Sequence, residues 1–229
     1  IDNNGVCCEP NDNYTLSGKI NTEFAQGIKN VAVTLSSPGQ VYPTYVTVGN
    51  GNYSFQVQGI NGEATIRAER NDFHKNGVST LDLVKIQKHL LGKDTLESPY
   101  LIVAADANNS QNVSAIDLVE LRKLILGVYT ELYANQSWRF VPAAYVFSDP
   151  LDPWTDPNQQ WPHNGSPTIT ITDIQNPGNL DFIGIKIGDV NGTAKPDFTQ
   201  LLPRESLTPF ELKTEQQFYN EGDIINVPI

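Results

Sequence analysis

The sequence predicts a mostly β chain with a small α part: an antiparallel β-sandwich, a paired loop-helix repeat and additional β segments. Three observations carry this. Short runs of alternating apolar and polar residues fill residues 13–70, a pattern of period two that puts one face of each strand in a core. Residues 71–130 repeat themselves at a shift of 35 positions. Strand-like pieces return after residue 130, separated by loops rich in Pro, Gly and Asn.

Residues 1–12 (IDNNGVCCEPND) are polar and turn-forming, and read as a linker. The chain's two cysteines, Cys7 and Cys8, are adjacent there. Ordinary disulfide geometry wants a wider separation, so the alternatives are a strained vicinal bridge, pairing outside this segment, or two plain thiols. The sandwich strands of residues 13–70 begin with Thr15–Ile20 and Val31–Leu35. Tyr45–Val48, Asn52–Val57 and Ala64–Ala68 follow, with Ser37-Pro38-Gly39 and Gly49-Asn50-Gly51-Asn52 as turns.

In the repeat, Val78-Ser79 superimposes on Val113-Ser114, Asp82-Leu83-Val84 on Asp117-Leu118-Val119, and Leu91-Gly92 on Leu126-Gly127. Each copy is a polar loop followed by a short amphipathic helix, with Leu83, Ile86 and Leu90 on one face of the first and Leu118, Leu121 and Ile125 on one face of the second. Gly92 and Gly127 stand where a left-handed C-terminal cap is wanted. Residues 131–203 form a β/loop extension packed on the repeat, with strands at Trp138–Val141, Thr168–Ile171 and Phe182–Ile187. Residues 204–229 carry two further strand-like runs, 210–213 and 223–228, without partners. They read as the first strands of a truncated β domain or as an intermolecular strand, and the absence of Met even at position 1 agrees with a piece of a longer chain.

The second loop contains the chemistry. Numbered from Asp106, its oxygen side chains fall at positions 1 (Asp106), 3 (Asn108), 5 (Ser110), 9 (Ser114) and 12 (Asp117), with the Asn112 carbonyl at position 7. Those positions supply oxygens to Ca²⁺ in EF-hand-type loops, because a hard cation needs about six to eight of them. The competing interpretation is an Asx-rich turn capping a helix. In the first loop Asn71, Ser79 and Asp82 fit, but Phe73 and Lys75 take positions 3 and 5. Either this copy has lost its ion, or Asp72, Asn76 and backbone supply the ligands. The expected cofactor is therefore Ca²⁺, one ion at the second loop and a second if the first loop is rescued. A third fragment, Gly188-Asp189-Val190-Asn191-Gly192-Thr193, has the start of such a loop without its helix. It reads as a turn, with Asp189 and Asn191 completing a shared site as the alternative.

These repeats, Asn76–Gly92 and Asp106–Gly127, resemble a type I dockerin. The β segment before them, with Ser17–Ile20, Gly27–Val33 and Gly51–Phe55, is similar to carboxypeptidase-regulatory-like or collagen-adhesin B-type domains, which implies an Ig-like or prealbumin-like sandwich. The whole order, ending in Phe182–Gly192, is similar to modules of very large secreted surface proteins of Bacteroidota, and Glu211–Val227 to the first strands of a cohesin-like domain. The dockerin resemblance implies two Ca²⁺ and cohesin binding through Thr80-Leu81 and Ala115-Ile116. Those pairs are largely apolar, so burial against neighbouring β domains is expected for them instead.

Composition narrows the function. The formal net charge of −11 argues against a nucleic-acid backbone binder, and no apolar run approaches the roughly 20 residues of a membrane span. Three histidines (His74, His89, His163) and no His-Glu-x-x-His, Gly-x-Ser-x-Gly or phosphate-cradling glycine loop argue against an enzyme. Trp154 and Trp161, in a loop with Asp149, Asp152, Asp156 and Asn164, either form an aromatic platform for a glycan or pack the loop down. The expectation is a non-catalytic, calcium-stabilised structural or adhesive module of a large secreted or cell-surface protein. Its partners would be neighbouring domains, or identical chains that add a β-strand and build a filament. The alternative is a carbohydrate-binding or cohesin-binding module of a secreted multidomain enzyme system.

Overall fold

A computed structural model describes residues 13–58, 62–155 and 168–197. The chain divides into two units, 1–198 and 199–229, and all the described residues belong to the first. Cys7, Cys8, Trp161 and the runs 210–213 and 223–228 lie outside the described residues.

Among the described residues nine strands and three helices follow the order β1 (Asn13–Asn21), β2 (Ala32–Ser37), β3 (Gln40–Val41), β4 (Tyr45–Val46), β5 (Asn52–Gln58), β6 (Ala64–Glu69), α1 (Thr80–Leu90), α2 (Pro99–Ala105), α3 (Ala115–Ile125), β7 (Trp138–Pro142), β8 (Thr168–Ile171) and β9 (Phe182–Lys186). The molecule is mostly β. One sheet has the order β5-β1-β9-β7 and the other β3-β2-β6-β8, with β4 also on β2. Among the described strands the pairings are antiparallel except β1 with β9, which run parallel through Ile20↔Phe182 and Asn21↔Ile183.

Alternation sets the first core. In β5 the buried positions are Tyr53, Phe55 and Val57, every second residue. With Leu16 and Ile20 of β1, Trp138 and Phe140 of β7 and Phe182 of β9 they meet Val33, Leu35, Ile66, Ala68, Ile169 and Ile171 of the second sheet in one cluster. Gly184 of β9 lies on that inner face, where a Cβ would come within 2.2 Å of the Ile28 Cδ1. The strands after residue 130 thus complete both sheets: β7 and β9 extend one, and β8 extends the other through β6.

The other faces of β7 and β9 build the second core. Val141, Ile185 and Ile187 pack with Val78, Ile86, Ile102, Val103, Leu121 and Leu124 of the helical segment. Strands covered on both faces lose the clean alternation of an exposed sheet, and β7 is buried at four successive positions. Ser79 and Ser114 are the N-caps of α1 and α3 in matching capping boxes with Asp82 and Asp117. Gly92 and Gly127 close the two helices at φ +63° and +73°. Helix α2 goes beyond the elements predicted from sequence; Ser98 caps it by accepting the Tyr100 N–H, and Pro99 opens its first turn.

Candidate metal centre

The second loop runs from the end of α2 into the first turn of α3, so both of its carboxylates are held by helix termini. Asp106 is the C-cap of α2 and Asp117 stands at the third position of α3. Both are fully buried. Asp106 Oδ1 accepts the Ser110 N–H at 2.8 Å and its Oδ2 the Gln111 N–H at 2.9 Å. Asp117 Oδ1 accepts the Asn108 N–H at 3.1 Å, and its Oδ2 the Ser114 N–H at 2.8 Å and the Ser114 hydroxyl at 3.1 Å. The Asn108 Oδ1 accepts the Ser110 N–H at 3.0 Å, and the Ser110 hydroxyl donates to the Asn112 carbonyl at 3.2 Å. Asp106, Asn108, Ser110, Asn112, Ser114 and Asp117 are therefore brought into one contiguous network. Gln111, at the sixth position where glycine is usual, adopts φ +63° and makes the sharp turn itself.

Electrostatically this network is short of positive charge. Burial raises the Asp106 carboxyl above the ordinary carboxylate range; backbone N–H donors and Arg139 pull it down, and Asp117 pushes it further up. Arg139 Nη1 donates to the Asn109 side chain at 2.9 Å, and among the described residues no Lys or Arg forms an ion pair with Asp106 or Asp117. Two buried carboxylates with no ion-pair partner are costly unless a cation joins them. No three His, Cys, Asp or Glu side chains converge among the described residues. The donor set is two carboxylates plus amide, hydroxyl and carbonyl oxygens, which suits a hard cation rather than a thiolate- or imidazole-seeking metal.

The first loop departs from the ligand set predicted for it. Asn71 Oδ1 is taken by the Ser137 N–H at 2.8 Å, and Asp72 by the Arg70 guanidinium at 2.8 Å. Asn76 bonds both ways with the Lys195 backbone, at 2.9 and 3.2 Å. None of the three joins the Asp82 carboxylate in the hydrogen bonding. The Lys75 ammonium, which would have repelled a cation, instead caps α3 by donating to the Ile125 carbonyl at 2.7 Å. Ser79 and Asp82 remain: Asp82 Oδ2 accepts the Ser79 N–H at 2.8 Å and the Ser79 hydroxyl at 2.7 Å.

What joins Ser79 and Asp82 is the third fragment. The Val190 N–H donates to Asp82 Oδ1 at 2.9 Å, the Thr193 hydroxyl donates to the Gly77 carbonyl at 3.1 Å, and the Asn191 amide reaches the Ser79 hydroxyl at 3.5 Å. Asp189 Oδ1 accepts the Thr193 N–H at 3.1 Å and Oδ2 the Ala194 N–H at 2.7 Å. Asp189 and Asn191 do form a turn, and that turn sits on the first loop. Burial raises the Asp82 carboxyl, with Asp189 adding to the effect. The Gly77 carbonyl and Thr193 were not among the candidate ligands read from sequence.

The apolar pairs after position 9 are not covered by the described β segments. Leu81 is 53% exposed and Ile116 59%, against the burial expected for them. They sit on the outer faces of α1 and α3, whose inner faces Ile86, Leu121 and Leu124 fill the core. Trp154 is half-buried against the helical core, which agrees for this residue with the alternative in which the tryptophans pack the loop down. No protein-family model, curated protein or solved structure matches this chain.

Proposed function

We propose that the chain is a non-catalytic structural or adhesive module of a large secreted or cell-surface protein, stabilised by calcium. The observation that carries this reading is the Asp106–Asp117 pair: fully buried, without an ion pair among the described residues, and surrounded by the oxygens of Asn108, Ser110 and Asn112. With only two carboxylates such a loop belongs in the weak range of calcium sites, roughly 10⁻⁴–10⁻³ M. A site of that affinity fills outside the cell and stays empty in cytosol, which makes rigidity depend on location. The dockerin-like repeat, the prealbumin-like or Ig-like sandwich and a filament grown by strand addition belong to the same reading.

Thermal unfolding in excess chelator and in millimolar calcium tests it. Calcium is expected to raise the melting temperature of the native chain by more than that of Asp106→Asn; a melt insensitive to chelator would sink the calcium reading. Electron microscopy of the calcium-loaded sample tests the filament, and isolated monomers would remove it.

A second reading, a protein-docking module of the cohesin-binding kind, is favoured by one observation. Leu81, Val84 and Leu91 of the first copy and Ile116, Val119 and Leu126 of the second are all exposed at equivalent positions, and contiguous exposed apolar side chains mark partner surfaces. Loss of binding to a cohesin-like domain on the double change Leu81→Ser, Ile116→Ser would promote it.

A further inference from the structure

We propose that residues 77–82 and 189–193 form a second calcium loop made of two separate pieces of chain. The inference rests on the calcium reading of the intact loop and extends it to a site whose ligands are split.

The two networks match position by position. In the intact loop the first residue, Asp106, accepts the N–H of the fifth, Ser110, and the sixth, Gln111; in the split loop Asp189 accepts the N–H of Thr193 and Ala194. The third-position amide oxygen accepts the fifth-position N–H in both, Asn108 from Ser110 at 3.0 Å and Asn191 from Thr193 at 3.1 Å. The fifth-position hydroxyl donates to the seventh-position carbonyl in both, Ser110 to Asn112 and Thr193 to Gly77. The twelfth-position carboxylate accepts the ninth-position N–H and hydroxyl in both, Asp117 from Ser114 and Asp82 from Ser79. One contact is displaced by a residue: Asp117 takes the third-position N–H of Asn108, whereas Asp82 takes that of Val190, the second. The fourth position is left-handed in each, Asn109 at φ +56° and Gly192 at φ +72°.

An independent observation asks for a cation. Asp82 is fully buried and Asp189 is 7% exposed, and neither has an ion-pair partner among the described residues. The nearby buried ammonium of Lys186 is committed to the carbonyls of His74 and Ile187, at 2.7 and 3.1 Å. The field of that single ammonium reaches both Asp189 and Asp82, but one cation against two carboxylates at least nine-tenths buried leaves a net negative charge. The misfit residues of the first loop then have an explanation: Phe73 and Lys75 need not supply ligands, because Asn191 and Thr193 occupy those roles.

The split has a structural consequence. One half is anchored at the start of α1, the other directly after β9, and β9 is the strand that lies between β1 and β7. The site is complete only when β9 is in place, so its ion would bind the finished sheet and hold residues 189–193 against α1.

Calcium titration of the whole chain, followed through the amide resonances of Gly77, Asn191 and Thr193 on one side and Asn108, Ser110 and Asn112 on the other, tests this. Both groups are expected to shift in the native chain. Asp189→Asn should abolish the first group's shift and keep the second's; Asp106→Asn should do the reverse. If Asp189→Asn disturbs folding, Asn191→Ala at a half-buried position serves in its place. Shifts confined to Asn108, Ser110 and Asn112 at saturating calcium would overturn the split site and leave the intact loop standing. No shift in either group would overturn both.

Discussion

The Asp82 carboxylate accepts the backbone N–H of Val190 at 2.9 Å, across 108 residues of chain. The same side chain closes the capping box of α1 through Ser79. One buried carboxylate therefore starts a helix and fastens the segment after β9 to it.

Asp82→Ala should destabilise the protein even in chelator. It strands the N–H groups of Ser79 and Val190, the latter in a residue only 2% exposed. A buried donor left unsatisfied costs about 1–3 kcal/mol, so urea unfolding in chelator should show a loss of at least that order. In calcium the loss relative to the native chain should be larger, because the ion's contribution disappears too. An equal loss in both conditions would mean that Asp82 acts only as a cap.

Gly77→Ala probes the close approach of the two loop halves. Gly77 has φ +77°, and a Cβ there would lie 2.5 Å from the Ala194 Cα. The contact is with backbone, so relief requires moving residues 193–195 away from the Gly77 carbonyl. A non-glycine residue at such a φ costs on the order of 1–3 kcal/mol before any clash. The expected result is a lower melting temperature together with weakened calcium response at Thr193. By contrast Gly92→Ala, with open space around the added Cβ, carries the backbone cost alone.

How far the sequence reached depends on how local each signal is. Alternation in Asn52–Gln58 and the 35-residue repeat are local, and β5, α1 and α3 stand where they point. Ser79, Ser114, Gly92 and Gly127 mark both helix ends by their own chemistry. The parallel pairing of β9 with β1 is a contact between Ile20 and Phe182 that no periodicity encodes. For the same reason the sequence offered Asp189 and Asn191 as contributors to a shared site without showing that they join Gly77, Ser79 and Asp82. The Asp-x-Asn-x-Thr run at Asp189 and the Gly-x-Ser-x-x-Asp run at Gly77 are complementary halves of the pattern written whole at Asp106–Asp117, and comparing both with the intact loop was the available signal. Short α2 was hidden because Pro99–Ala105 is mostly buried and shows no polar face.

The two faces of α1 should respond differently to truncation. Ile86 is fully buried between the helices and the β7–β9 face, whereas Leu81 is 53% exposed. Ile86→Ala should cost about 2–5 kcal/mol. Leu81→Ser should stay within about 0.5 kcal/mol, the range of surface changes that break no special feature. Urea denaturation of the two variants at fixed calcium checks this; a large loss for Leu81→Ser would reveal that something covers it in the native chain.

His74 gives the fold an acid-sensitive point separate from the carboxylates. It is 5% exposed, and its Nδ1 accepts the Leu132 N–H at 3.1 Å. Burial lowers its folded-state pKa below the ordinary 6.5, and the Lys186 ammonium lowers it further against the opposing pull of Glu131 and Asp72. The neutral ring is thus the form the fold prefers. A depressed folded-state pKa gives stability that is complete above the unfolded value and lost as pH falls through the folded one. Protonation would also turn Nδ1 from acceptor to donor and set it against the Leu132 N–H. Melting temperatures measured in chelator should therefore begin to fall as pH drops below about 6.5. His74→Gln keeps an acceptor without a titrating proton, so it should remove this first step and leave the carboxylate-driven loss at lower pH. Parallel acid curves for the native chain and His74→Gln would show that the ring does not control the transition.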